Sequence, residues 1–342
     1  MAEISCLNAA IGERFAAYLG DCVSVVAQLP ANSVDFSVYS PPFSGLYIYN
    51  DSIADMGNTA NDAEFFEQYR FLIREKLRVT RPGRLSAIHV KDLVYYSNTS
   101  AKGDRGLRDF SGECIRAHKE AGWTYHSRVT IRRCPVREMT KSKPDGLLYK
   151  NFRGDCARIR QGLPEYLLVF RKWADGMDET PRVMHDYLKW REWGGEGAKF
   201  VRGSHDATST FEREYYEALD IWQNWADPIW TDTNETNVLN ADAARHPNDE
   251  KHICPMPLDI TERAVRLWSN AGETVLSPFM GIGSEGYVSL KAGRRFVGVE
   301  LKPEYWAQAI RYLDAEDRQT DLFAAVAPVA GTLLTDCARA ET

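Results

Sequence analysis

Two adjacent prolines stand between an apolar run and an aromatic-rich run in VYSPPFSGLYIY, residues 38–49. Pro41 and Pro42 each remove a backbone donor and fix φ near about −65°. Ser40 and Pro41 each precede a proline and are therefore restricted to extended conformations. The segment is stiff and offers oxygen acceptors but few N–H groups, beside the ring of Phe43. It suits a site that accepts hydrogen bonds next to an aromatic face.

A second candidate segment is the glycine turn in VLSPFMGIGSEGYVSLKAGRRFVGVEL, residues 275–301. Gly281 and Gly283 let the backbone approach a ligand closely, and the N–H groups of a following helix suit an anionic group such as a carboxylate. The next predicted strand ends at Glu300, and an acidic residue at that place typically holds ribose hydroxyls. The pattern predicts a nucleoside cofactor; the alternative is a tight turn and a solvated glutamate.

Charge is unevenly distributed along the chain. The net charge is −6, yet residues 128–172 contain twelve basic residues against four acidic ones. A local positive excess on an acidic chain is typical of a face that contacts phosphate groups. A solvated surface with long side chains is the alternative.

The composition excludes several other classes of protein. Seven scattered cysteines form no C-x-x-C pair, which predicts free thiols and neither a zinc knuckle nor any other metal site. The apolar runs are too short to span a membrane, and the first ten residues lack the pattern of a secretory signal. We therefore expect a cytoplasmic protein without a membrane partner.

Together, the two segments resemble the motifs of a known family, the S-adenosylmethionine-dependent DNA amino-methyltransferases. Ser40-Pro41-Pro42-Phe43 matches the family's tetrapeptide [Asp/Asn/Ser]-Pro-Pro-[Tyr/Phe/Trp], and Ser277 to Gly283 matches its cofactor loop, Asp-Pro-Phe-x-Gly-x-Gly. The tetrapeptide precedes the loop, with a long insertion between them, as in the beta group of the family. That insertion is the target recognition domain in the family, and the resemblance covers roughly residues 18–313.

The resemblance implies a cofactor site. Glu300 would bind the ribose hydroxyls, and Asp21 would bind the adenine amino group with the backbone of Cys22 alongside. The methionine and ribose pocket would be lined by residues of the cofactor loop, which are Ser277, Phe279, Gly281 and Gly283.

Two positions depart from the family's pattern. Ser277 replaces an aspartate that commonly holds the ammonium group of the cofactor, so either the affinity for the cofactor is lower or another acid compensates, with Glu285 and Asp21 as candidates. Met256, in the segment HICPMPLDI, stands where lysine is frequent in the family.

The resemblance also implies a reaction. The Ser40 hydroxyl oxygen and the Pro41 carbonyl would accept hydrogen bonds from the amino group of a flipped base, Pro42 would offer no competing N–H, and Phe43 would stack on the base. Five basic residues are predicted to contact DNA: Arg132, Arg133, Arg153, Arg158 and Arg160. The Ser-Pro-Pro form favours N4 of cytosine over N6 of adenine. An RNA or protein methyltransferase and a catalytically idle DNA-binding relative are further alternatives.

The predicted elements alternate between strands and helices to about residue 130 and again from Pro257, which indicates an α/β fold. With the resemblance, this implies a Rossmann-like methyltransferase fold, with a mostly parallel sheet, helices on both faces and an inserted target recognition domain. The predicted divisions are a catalytic half (1–130), the recognition insertion (131–250), a cofactor-binding half (251–314) and a flexible tail (315–342). The strand EYLLVFRKW is placed in the insertion.

Three further predictions concern details of the chain. Asp62 is expected to cap a helix over residues 64–79, and the last helix is expected to end at Leu313. The tail peptide Gln319–Phe323 resembles peptides that bind the bacterial replication sliding clamp, with an apolar patch that folds back onto the last helix as the alternative. Double-stranded DNA is the expected partner, and a homodimer and a restriction–modification or phage setting are open.

Overall fold

The computed structural model describes residues 4–43, 56–59, 61–98, 100, 102–142, 146–155, 157, 159–174, 189, 191–194, 210–240 and 255–318. The helices are α1 (Cys22–Gln28), α2 (Asp62–Val79), α3 (Phe110–Glu120), α4 (Pro135–Ser142), α5 (Tyr149–Phe152), α6 (Arg191–Gly194), α7 (Thr210–Trp225), α8 (Leu258–Trp268), α9 (Ser284–Lys291) and α10 (Pro303–Arg318). None of these helices is both long and apolar enough to cross a membrane.

The strands are β1 (Asn8–Ile11), β2 (Phe15–Leu19), β3 (Val34–Tyr39), β4 (Thr80–Val90), β5 (Leu93–Tyr95), β6 (Gly106–Arg108), β7 (Thr124–Ile131), β8 (Glu165–Arg171), β9 (Ile229–Trp230), β10 (Thr274–Ser277) and β11 (Arg295–Glu300). Nine of them form one sheet in the order β1-β2-β11-β10-β3-β4-β8-β7-β9, and β5 pairs with β6 separately. The five central strands from β2 to β4 are parallel, which confirms the predicted mostly parallel sheet.

Helices cover both faces of the sheet. On one face, α1, α2 and α3 bury side chains such as Val26, Leu72 and Phe110 against the strands. On the other face, α8, α9 and α10 bury Ala264, Leu290 and other apolar residues. Strands buried on both faces read as near-continuous apolar runs, as VDFSVY does in β3. This arrangement leaves the carboxyl ends of the parallel strands open for a site.

The structure corrects the predicted place of β8. The strand was assigned to the insertion of residues 131–250, but it lies inside the main sheet and pairs antiparallel with both β4 and β7. Its four central residues, Leu167 to Phe170, are completely buried, and they alternate between the two apolar clusters on the two faces of the sheet. The long connections on either side of β8 are therefore separate segments that leave the sheet and return to it.

Two predicted helix ends also differ. Asn61, not Asp62, caps α2, with its side-chain oxygen accepting a hydrogen bond from the Glu64 N–H at 3.0 Å. Asp62 lies in the first turn and pairs with Arg108 at 2.8 Å. The last helix continues past Leu313 to Arg318 because Arg14 holds its final turn, through Asp317 Oδ1 at 3.1 Å and the Glu316 carbonyl at 2.8 Å.

Candidate active site

The two sequence motifs meet at the carboxyl ends of β3 and β10, which are adjacent parallel strands. Ser37 pairs with Leu276 in the register, so Ser40 and Phe279 each lie three residues beyond a paired position. The rings of Tyr39 and Phe279 are in contact, with centroids 5.7 Å apart. Segments separated by more than 230 residues of sequence therefore face one region of the molecule.

Ser40 is held by a main-chain group of the neighbouring strand. Its hydroxyl donates a hydrogen bond to the His89 carbonyl at 3.0 Å, near the end of β4. The proton of Ser40 is thereby directed at the sheet, which leaves the lone pairs of the oxygen to accept hydrogen bonds from elsewhere. Pro41 is buried and Pro42 half-buried, and the half-buried ring of Phe43 lies 5.8 Å from the ring of Phe110.

The glycine turn requires glycine at two positions. Gly281 has φ of 54° and Gly283 has φ of 93°, a region that other residues rarely adopt. At Gly283 a Cβ atom would also lie 3.1 Å from the Ala309 Cβ, so α10 could not pack as closely. The turn is fastened to β11 by Glu300, whose Oε2 accepts from the Gly281 N–H at 2.9 Å. The other oxygen of Glu300 accepts from the Lys302 N–H at 2.8 Å.

Asp21 and Cys22 begin α1 at the end of β2. The Asp21 carboxylate caps this helix: it accepts from the Val23 and Ser24 N–H groups at 3.4 and 2.8 Å and from the Ser24 hydroxyl at 2.5 Å. Cys22 is buried, and burial together with the charge of Asp21 raises the pKa of its thiol well above the ordinary value. Cys22 is thus an uncharged thiol, which leaves only its backbone for the contact that the resemblance implies.

Three polar side chains are buried behind the glycine turn. Ser277 and Ser284 are 0% and 2% exposed, and neither hydroxyl has a hydrogen-bond partner among the described residues. Glu285, in the first turn of α9, is 4% exposed. Burial and the nearby charge of Glu300 raise the pKa of the Glu285 carboxyl to about 8. Met256 is buried among apolar residues, so it supplies no polar group near this turn.

A polar network that the sequence analysis missed lies directly beneath Ser40. Lys76 is completely buried, and its ammonium donates to the Tyr39 hydroxyl at 2.6 Å and to the Ser86 hydroxyl at 2.8 Å. Tyr39 is in turn 2.7 Å from the Tyr69 hydroxyl. Burial lowers the pKa of Lys76 well below its ordinary value. The signal in the sequence was a lysine on the apolar face of α2, four residues after the buried Leu72.

A second missed network joins the strand behind Ser40 to the basic segment. The His89 ring is 2.8 Å from Glu165 Oε2, and Arg133 pairs with Glu165 Oε1 at 3.0 Å. Burial opposes ionisation of Glu165, but the charges of His89 and Arg133 outweigh it and lower the pKa of Glu165 to about 2. Glu235 is the next member of this network. Its carboxylate lies 3.7 Å from the Arg133 guanidinium and accepts a hydrogen bond from the Cys134 N–H at 2.7 Å.

The five arginines predicted to contact DNA have different environments. Arg132 and Arg153 are exposed. Arg133 is committed to the ion pairs with Glu165 and Glu235, and Arg160 is half-buried, 3.9 Å from Glu138. Arg158 lies outside the described residues, as does the clamp-like peptide Gln319–Phe323.

A cavity of about 700 Å³ lies away from these motifs, between β7, α7 and the end of α8. Its lining includes Trp193, Trp222 and Trp225, while Trp230 is buried in the sheet beside it. Trp193 and Trp225 are in contact, with centroids 5.4 Å apart. Trp222, in contrast, is about half exposed at the edge of the cavity. No group of three or more His, Cys, Asp or Glu side chains that could hold a metal occurs in the part of the chain that the structure describes.

Comparison with known proteins agrees with this arrangement. A family model described as DNA methylase, of the N6/N4 methyltransferases, matches residues 34–311. The chain is 25% identical over 300 residues to the type II methyltransferase M.Cfr9I of Citrobacter freundii, covering 87% of each chain. It is 45% identical over 197 residues to the type II methyltransferase M1.MboII of Moraxella bovis, covering 50% of this chain and 73% of the relative.

Solved structures share the fold. TTHA0409 of Thermus thermophilus, in complex with S-adenosyl-L-methionine, superposes with a TM-score of 0.57 at 20% identity, covering 89% of this chain and 96% of that one. The PvuII DNA methyltransferase, described as cytosine-N4-specific, superposes with a TM-score of 0.55 at 14% identity, covering 92% of this chain and 89% of that one. At these identities the likeness concerns the fold.

Proposed function

The chain belongs to the DNA methylase family, and we propose that it methylates N4 of cytosine in a base turned out of the DNA duplex. The enzyme is an S-adenosylmethionine-dependent DNA amino-methyltransferase. The observation that carries the proposal is the hydrogen bond from the Ser40 hydroxyl to the His89 carbonyl. It turns the serine into an acceptor at the place where an amino group would be presented.

The exocyclic amine of a base is a poor nucleophile, because its lone pair is delocalised into the ring. S-adenosylmethionine, when bound, supplies a methyl group on a sulfonium ion. Ser40 Oγ and the Pro41 carbonyl accept hydrogen bonds from the amino hydrogens, and these bonds strengthen as positive charge develops on nitrogen. Phe43 fixes the plane of the base, and Pro42 contributes no donor that would compete.

The residues that we assign to the cofactor lie at the same edge of the sheet as Ser40. We assign the ribose hydroxyls to Glu300, whose two oxygens each accept one backbone N–H and retain further lone pairs. Phe279, which contacts Tyr39, and the backbone at Gly281 and Gly283 line the remainder. Asp21 already accepts three hydrogen bonds, so it reaches the adenine amino group only through lone pairs that the α1 cap leaves.

Two of the five arginines are the stronger candidates for DNA phosphates. Arg132 and Arg153 have exposed side chains, whereas Arg133 is held in ion pairs and Arg160 is half-buried. Phosphate contacts would offset the cost of extruding the target base, which is about a few kcal/mol. Arg158, a homodimer and clamp binding through Gln319–Phe323 stay predictions of the sequence.

N6 of adenine is the second candidate, because the family model that matches the chain covers both N6 and N4 methyltransferases. A serine hydroxyl is able to accept from either amino group. The choice of cytosine rests on the Ser-Pro-Pro form of the tetrapeptide. The recognition sequence is a separate property that the segments on either side of β8 would determine.

The target base is identified by digestion of methylated DNA. The enzyme is incubated with labelled cofactor and mixed-sequence DNA, and the labelled nucleoside is then separated. We expect N4-methylcytosine, and far less of it from the Ser40→Ala variant, which controls for a contaminating host methylase. Recovery of N6-methyladenine alone would overturn the choice of base, and label in RNA or protein but not in DNA would overturn the substrate class.

A further inference from the structure

The glycine turn is flanked by three buried polar groups, which are the hydroxyls of Ser277 and Ser284 and the carboxyl of Glu285. The hydroxyls of Ser277 and Ser284 are buried and make no hydrogen bond with any described residue. Buried polar groups are nearly always satisfied, so each exception requires an explanation. These two hydroxyls flank the turn, one at the end of β10 and the other at the start of α9.

The carboxyl of Glu285 is next to Ser284 and is equally buried. In the part of the chain described, no arginine, lysine or histidine side chain pairs with it, and its own backbone N–H is its hydrogen-bond donor. The charged group that acts on it is Glu300 on β11, which has the same sign. The described residues of the packed elements α8, α10 and β10 supply no compensating ion pair. An unpaired buried carboxyl is an unusual feature, since buried acids are normally paired.

We propose that Glu285, with the hydroxyls of Ser277 and Ser284, binds the α-ammonium group of S-adenosylmethionine. The inference rests on the cofactor site proposed above. An ammonium group has three donors and one positive charge, and these three side chains offer a matching number of acceptors and one negative charge. The elevated pKa means that the carboxyl is protonated at neutral pH without ligand, and binding of the cation releases that proton to solvent.

The other acid near the site is already engaged in its own contacts. Asp21 caps α1 with both carboxylate oxygens and already accepts three hydrogen bonds, so it has less capacity left for an ammonium group than Glu285 has. The cofactor loop resembles a family motif that has an aspartate where this chain has Ser277. Glu285, in the first turn of α9, is the buried acid that this chain has beside that position.

Calorimetry with two ligands tests the proposal. S-adenosylhomocysteine carries the ammonium group, and 5′-methylthioadenosine lacks the whole amino-acid moiety. Glu285→Gln should weaken the binding of S-adenosylhomocysteine at least tenfold and change the affinity for 5′-methylthioadenosine less than twofold. Adding Ser277→Asp to Glu285→Gln should restore most of the affinity, because it returns a carboxylate to the neighbouring position. Glu304→Gln, an exposed acid in the first turn of α10, is the matched control and should change neither ligand.

Proton release gives a second readout. Titrations at pH 7 in two buffers of different ionisation enthalpy should show close to one proton more released by the wild type than by Glu285→Gln. Equal losses for both ligands, or no loss for either, would overturn the assignment. If Glu285→Gln does not fold, Ser277→Ala alone should weaken the binding of S-adenosylhomocysteine threefold or more and leave the affinity for 5′-methylthioadenosine unchanged. A Ser277→Ala variant that binds S-adenosylhomocysteine as tightly as the wild type would count against the proposal. A wild type that binds neither ligand would contradict the cofactor site itself.

Discussion

Replacing Ser40 by aspartate is expected to lower kcat/KM by at least roughly tenfold, although the family tetrapeptide that this segment resembles also allows aspartate at its first position. The Ser40 hydroxyl donates to the His89 carbonyl at 3.0 Å. A carboxylate at this position has no proton to donate, so two oxygens that are both acceptors would face each other. The aspartate must either turn away, which removes the acceptor for the base, or take up a proton, which leaves a neutral carboxyl whose hydroxyl oxygen is a weaker acceptor than that of serine.

The magnitude follows from two separate contributions. Loss of the hydrogen bond to the His89 carbonyl costs about 1 kcal/mol of folding stability. Loss of an acceptor for a developing cation costs about 1.5–3 kcal/mol, which is roughly a 10- to 150-fold fall in kcat/KM. Ser40→Ala should therefore lose this factor, and Ser40→Asp should lose at least as much.

The assay is transfer of labelled methyl to DNA, run beside calorimetric binding of S-adenosylhomocysteine. Both variants should bind this ligand within about twofold of the wild type, because Ser40 has no part in the cofactor site. Ser33→Ala is the matched control: Ser33 lies just before β3, at its opposite end, and also donates to a carbonyl, that of Pro30 at 2.6 Å. A Ser40→Asp enzyme with turnover near that of the wild type would refute the reasoning.

The remaining predictions concern pH and salt. Because burial lowers the pKa of Lys76 in the folded protein, the unfolded state binds more protons between the two pKa values, and the free energy of unfolding should increase as the pH rises towards the ordinary pKa of lysine. Lys76→Met should flatten this dependence in denaturant titrations, and an unchanged slope would contradict the lowered pKa of Lys76. Arg132→Gln should reduce the slope of log K against log salt for DNA binding by about 0.9, the share of one phosphate contact. Arg133→Gln should leave that slope unchanged and lower the melting temperature, since it breaks the pair with Glu165. If Arg133→Gln reduced the slope and Arg132→Gln lowered only the melting temperature, Arg133 would be the DNA contact and Arg132 the structural residue.

Local sequence signals were sufficient to predict most of the parallel sheet. Buried strands such as β3 read as apolar runs, and the glycine turn and the double proline each restrict the backbone at their own position. The place of β8 was not predictable in this way, because its position between β4 and β7 depends on pairing with strands about 40 and 80 residues away. The extension of α10 was missed for the same reason, since Arg14 from the other end of the chain holds its last turn.

The candidate site was predictable where one residue type performs one task. Glycine at positive φ and an acid at the end of a strand are such cases. The sequence could not reveal that Asp21 is occupied by a helix cap, or that Arg133 is committed to Glu165. Both residues are charged and polar by type, but their partners decide whether they are available to a ligand.

The pairing of His89 with Glu165 helps to fix the position of Ser40, in addition to the hydrogen bond that Ser40 itself makes. The acceptor for the Ser40 hydroxyl is the main chain of His89, and the side chain of that residue is fixed by Glu165 at 2.8 Å. Glu165 is also bound to Arg133, which directly follows the exposed Arg132. A DNA phosphate that engages Arg132 would therefore act on the chain one residue from the network that holds the catalytic strand. The residue proposed to contact DNA is thus linked through Arg133, Glu165 and His89 to the acceptor of the Ser40 proton, and a variant at Glu165 should disturb turnover more than DNA binding.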